Sequence, residues 1–117
     1  MMNVEELRSL ALRLPGVTED IKWGHDLCFL IGEKIFLVLG PDNIPVSASF
    51  KTGDEKFEEL IVREGLIPAP YLARNKWVMV KDISVLDRNE WQEHIQRSYD
   101  LVFAKLPKKL QATIGSF

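Results

Sequence analysis

An α+β fold, with an antiparallel sheet covered on one face by helices, is what this 117-residue sequence predicts. Three observations carry that expectation. Strand-like runs are grouped instead of alternating regularly with helices. Two of them, LCFLI and KIFLVLG, flank Gly32-Glu33, a two-residue connection of hairpin type. Capped amphipathic helices open the chain and close it.

Taken in order, Asn3 followed by Glu6 forms a capping-box-like start, and Val4, Leu7, Leu10, Ala11 and Leu14 then share one helical face. Pro15 and Gly16 stop that helix. TEDIKW, LCFLI and KIFLVLG read as three strands, and VSASF as a fourth, in which Val46, Ala48 and Phe50 alternate with two serines on a wet face. Thr52 and Glu55 have capping-box spacing for a second helix carrying Phe57, Leu60 and Ile61, with Gly65 as its stop. Pro68 and Pro70 disfavour helical angles at Ile67 and Ala69, so this segment is expected as a stiff, extended connector. KWVMVK is the next strand, with Trp77 and Met79 opposite Val78 and Val80. Asp87 and Glu90 open the longest helix, which places Trp91, Ile95, Ser98 and Val102 on one face and runs to about Lys105. Pro107 begins a short final helix.

The 46% hydrophobic content suffices for one core over 1–117, and no linker or repeat divides the chain. Lone Cys28 excludes an internal disulfide and fits a reducing compartment, so a cytoplasmic location is expected. Neither a signal peptide nor a membrane span is legible. A monomer without a cofactor or a metal completes the expectation.

The net charge is −2, but its distribution is uneven. Residues 65–81 carry Arg74, Lys76 and Lys81 with no acid, and residues 101–117 carry Lys105, Lys108 and Lys109 with no acid. All the net positive charge lies in those windows. An acidic protein can hold nucleic acid only through such a local patch, because phosphate affinity comes from cations displacing condensed counterions. YLARN, at the edge of the KWVMVK strand, has the geometry of a wing, and the turn at Gly32 to Lys34 supplies a second one. The plainer alternative is that the prolines route the chain and the charges are solvated.

The stretches LPGVTEDIKWG, IGEKIF, SFK, GLIPAPYLARNKWVMV and SYDLVFAKLPKK together resemble the MmcQ/YjbR family, in order and over nearly the whole chain. The resemblance implies a frataxin/CyaY-like sandwich and a DNA-binding role with a double-wing arrangement. The matching positions are Lys51 at a strand end and Arg74, Lys76 and Trp77 in the second wing. Two departures stand out: Ile21 and Lys22 occupy positions where family members often carry proline, and Glu33 puts a negative charge into the first wing.

Other chemistry is weaker in the sequence. Asp26 and Cys28 would share a strand face with His25 opposite, a poor arrangement for activating a thiol. Frataxin-like folds suggest iron on an acidic ridge, yet Glu5 and Glu6 diverge by about 100° around a helix, and hard cations need converging oxygens. His94 has no partner ligand at helical spacing. The sequence therefore predicts a non-enzymatic DNA-binding protein that uses Lys51, Arg74, Lys76 and Trp77, with Lys105, Lys108 and Lys109 as auxiliary contacts. The alternative is a module that binds a protein or a small molecule.

Overall fold

The structure, a computed structural model, describes residues 2–70 and 75–115. The elements follow as α1 (Val4–Leu12), β1 (Thr18–Lys22), β2 (Asp26–Ile31), β3 (Lys34–Gly40), β4 (Ser47–Lys51), α2 (Asp54–Leu60), β5 (Leu66–Pro68), β6 (Trp77–Val80), α3 (Arg88–Phe103) and α4 (Lys108–Ile114), with a 3₁₀ turn at Ile83–Val85. Six strands form one sheet in the order β1-β2-β3-β4-β6-β5, and every neighbouring pair is antiparallel. The α+β expectation holds.

Alternation decides what each strand buries. Phe29, Leu37, Leu39, Ala48, Phe50, Val78, Val80 and Leu66 point to one face, where they meet Leu7, Leu10, Trp91, Ile95 and Val102 in a single core cluster. A register shift between Phe29 and Leu30 adds a residue on β3, which lets Phe36 bury beside Leu37 and meet Tyr99 edge-on at 5.5 Å. The other face carries Asp26, Cys28, Val38, Ser47, Ser49 and Met79, and α1 and α3 do not cover it. On the helical side, Glu19 of β1 reaches Arg8 of α1 through two hydrogen bonds of 2.6 and 2.8 Å.

The helix starts obey their caps. Asn3 Oδ1 accepts from the Glu6 N–H at 2.9 Å, and Asp87 Oδ1 from the Glu90 N–H at 2.8 Å, each satisfying a free first-turn donor. Four details differ from the sequence expectation. Thr52 does not cap α2: Gly53 holds that position without a side-chain bond, while the buried Thr52 hydroxyl donates to the Gly53 carbonyl. That helix stops at Leu60, well before Gly65, whose φ of +86° belongs to the turn into β5. The proline-spaced connector begins as a sixth strand, for Leu66, Ile67 and Pro68 pair with Val80, Met79 and Val78. Pro68 is tolerated because β5 is an edge strand. Finally, Ser47 on the expected wet face is 5% exposed, and its hydroxyl accepts from Asn43 Nδ2 at 2.8 Å.

Candidate nucleic-acid interface

A serine inside α3 organises the end of the sheet. Ser98 is fully buried, donates its hydroxyl to the Phe36 carbonyl at 2.6 Å and accepts from the Lys51 N–H at 3.0 Å. It thereby bridges β3 and β4 where the strands part, satisfying two backbone groups that would otherwise be buried without partners. The same bridge fixes the C-terminal half of α3 against Lys51. Lys105, two residues beyond that helix, comes close enough to act on Lys51 electrostatically. The Lys51 ammonium is held below the ordinary lysine value, first by burial and then by the charge of Lys105. Among the described residues neither lysine has a carboxylate within ion-pair distance.

The β2–β3 hairpin turn joins this end of the molecule. Gly32 and Glu33 have φ of +57° and +67°, the two positive values that a type I′ connection requires. A methyl group on Gly32 would lie 2.9 Å from carbons of Leu106 and Leu110, so the turn sits directly against the junction of α3 and α4. That packing brings exposed Glu33 and Lys34 to the segment carrying Lys105, Lys108 and Lys109, all three of them exposed. Of the 65–81 window, Lys76 is placed near the same strand end. The Thr52 N–H donates to the Lys76 carbonyl at 2.8 Å, which sets Lys76 beside the end of β4, and its ammonium lies 4.9 Å from the centre of the Phe57 ring.

Two expected contacts have another standing. Trp77 is opposite Lys51 in register but only 6% exposed, so its ring is packed and offers no platform for a base. Arg74 lies outside the described residues. The border of the patch is mixed in charge: a hollow beside it is lined by Asp54, Glu55, Lys56, Glu59 and Arg97.

Elsewhere the chemistry is muted. Cys28 is fully buried and its thiol is pushed up to about 11 by burial and then by the Asp26 carboxylate, so little thiolate exists at neutral pH. His94 is 1% exposed and stacked on Phe50 at 4.8 Å, with Nε2 3.3 Å from Glu90. Glu90 itself is tied to the Arg63 guanidinium, which holds its carboxyl below the usual range. Among the described residues no three His, Cys, Asp or Glu side chains are grouped to hold a metal ion, and no helix is long and apolar enough to cross a membrane.

Sequence reasoning named five of these lysines, Lys51, Lys76, Lys105, Lys108 and Lys109, and missed the bond that fixes α3 against Lys51. The available signal was Ser98, a hydroxyl on the apolar face of a helix. Such a group must find a backbone partner when buried.

Comparison with known proteins agrees with this architecture. The YjbR family model matches residues 12–101. A Deinococcus radiodurans protein with the domain designated DUF419 superposes with a TM-score of 0.88 at 25% identity, covering 98% of this chain and 89% of its own. A Pseudomonas syringae protein superposes at 0.71 and 19% identity, covering 86% of this chain and 98% of its own. No curated protein matches the sequence.

Proposed function

Because the chain belongs to the YjbR family, we propose that its lysine-bearing sheet end binds duplex DNA by phosphate contacts, without chemistry and without reading bases. The observation that supports this reading is the Ser98 bridge that fixes α3, and with it Lys105, against half-buried Lys51, neither lysine having a carboxylate within ion-pair distance among the described residues. Two like charges kept close disfavour each other, and a phosphate between them relieves that repulsion. Lys34, which the Gly32 turn sets against the α3–α4 junction, and Lys76, bonded to Thr52 beside the end of β4, would join Lys108 and Lys109 in reaching neighbouring phosphates. Contacts to the backbone fix the protein on a duplex and carry no direct sequence information. Burial of Trp77 removes base stacking from the mechanism. Glu33 and Asp54 border the patch, and their negative charge would weaken phosphate binding.

The test is the salt dependence of binding to a labelled duplex. Each neutralised phosphate contributes about −0.9 to the slope of log affinity against log salt. Replacing Lys51→Gln and Lys105→Gln together should reduce the slope by about two such contacts, alike for duplexes of unrelated sequence. An unchanged slope, or no binding at low salt, removes the reading.

A further inference from the structure

The sheet face opposite α1 and α3 holds a concavity of about 520 Å³ that the lysine cluster does not use. Its floor is Val38, Ser49 and Met79, neighbours across β3, β4 and β6. Small residues make the space: Gly40 and Ser47 at the ends of their strands, and Ala69 just past β5. Two walls rise from it, Ala69-Pro70 on one side and the β1–β2 turn with Trp23 and Asp26 on the other.

Trp23 has no stabilising task in view. It is 64% exposed and adopts a φ of +54°, a conformation that a bulky residue holds only under strain. With Gly24 at +82° and the His25 N–H donating to the Lys22 carbonyl, the turn is one that glycine or asparagine would form at lower cost. An indole kept there lines the rim of the concavity, within reach of whatever enters. Asp26 supplies the charge. Its side chain is 27% exposed, and its ion-pair neighbour is His25 Nε2 at 3.7 Å, on a ring that is itself mostly in solvent. Lys22, cross-strand from Asp26, is engaged by Asp20 at 3.4 Å. No Lys or Arg lines the concavity among the described residues. A carboxylate, an aromatic face and apolar walls without a resident cation are complementary to an organic cation with an apolar body.

We propose that this concavity is a binding site for a small organic cation, in which Asp26 pairs with the ammonium, Trp23 covers it, and Val38, Met79 and Pro70 hold the apolar remainder. The site is separate from the DNA reading and survives its failure.

The test titrates benzyltrimethylammonium into isotopically labelled protein and follows backbone amide shifts, with phenylacetate as the anion of similar shape. The cation should move the amides of Trp23, Asp26, Ser49 and Met79 saturably, while phenylacetate leaves them in place. Asp26→Asn should weaken the cation about tenfold. Trp23→Gly should weaken it comparably without lowering the melting temperature, since glycine suits the turn. Ser49→Val, which fills the floor and leaves the charge intact, should also lose the ligand. Absence of a saturable response, an equal response to phenylacetate, shifts that map to other surfaces, or wild-type affinity in both Asp26→Asn and Trp23→Gly would each overturn the site.

Discussion

At the scale of single residues, His94 shows how burial turns a titratable group into a dependence on pH. Its ring is sandwiched in the core against Phe50, Nε2 faces Glu90, and Nδ1 has no partner. With the Nε2 proton directed at the carboxylate, a second proton on Nδ1 would have no acceptor. Burial is the largest influence and lowers the pKa. Glu90 and Glu93 oppose it, and Lys56 adds to it. The folded protein thus takes up this proton at lower pH than the unfolded chain does. The stability it contributes is complete above the ordinary histidine value and is lost as pH falls through that value toward the folded one. His94→Phe keeps the stack on Phe50 and removes the proton. Unfolding by urea should therefore show a flatter stability profile for the variant between about pH 7.5 and about pH 5.5, and the same steepness in both proteins would assign the dependence elsewhere. Glu90, whose carboxyl is lowered chiefly by Arg63 and further by His94, adds a loss of stability in the more acidic carboxylate range, which this substitution reduces without abolishing. The expectation that His94 has no partner at helical spacing is corrected by Glu90, four residues earlier on α3, whereas the missing partner of Nδ1 depends on side chains that only folding brings near.

Among the elements, the β2–β3 hairpin and β5 mark the two limits of what the sequence reveals. The hairpin was legible because both of its strands are local, and Gly32-Glu33 is chemistry that a tight connection requires. Its docking on α4 was not. Gly32→Ala would set a methyl 2.9 Å from carbons of Leu106 and Leu110 at a φ of +57°, and should destabilise the protein by about 1–3 kcal/mol. Gly53→Ala is the contrasting control: no atom lies within 4 Å of its added carbon and its φ is −83°. Denaturant midpoints for the two variants should separate accordingly, and equal midpoints would mean that α4 is not anchored on the turn. β5 escaped notice because three residues ending in proline carry no period of their own; what makes them a strand is β6, which offers its free edge to Leu66, Ile67 and Pro68. The start of α2 was displaced for a similar reason. Thr52 is drawn into the core region at 2% exposure and its N–H is taken by Lys76, so the capping position falls to Gly53.

For the molecule as a whole, the placement of charge matters more than its total. Arg88 opens α3, about 24 Å of helix away from the end that leads to Lys105. Lys81 follows the end of β6 remote from Trp77 and Lys51. Neutralising this pair as Lys81→Gln and Arg88→Gln changes the net charge as much as neutralising Lys51 and Lys105 does. On the proposed interface it should nevertheless leave the salt slope of DNA binding unaltered, and a slope that falls equally for both pairs would show that binding follows overall charge. The amino-acid order determined the elements that rest on near neighbours: the caps at Asn3 and Asp87, the hairpin, the alternation of β4 and β6, and the two windows rich in lysine. Tertiary structure alone decided that β5 joins the sheet, that Ser98 ties α3 to Lys51, and that Trp23 and Asp26 wall a concavity with Pro70. Propensity, capping and periodicity act over a few residues and are written locally. The meeting of groups dozens of residues apart depends on strand order and on which face each side chain takes, quantities that exist only once the sheet has closed against its helices.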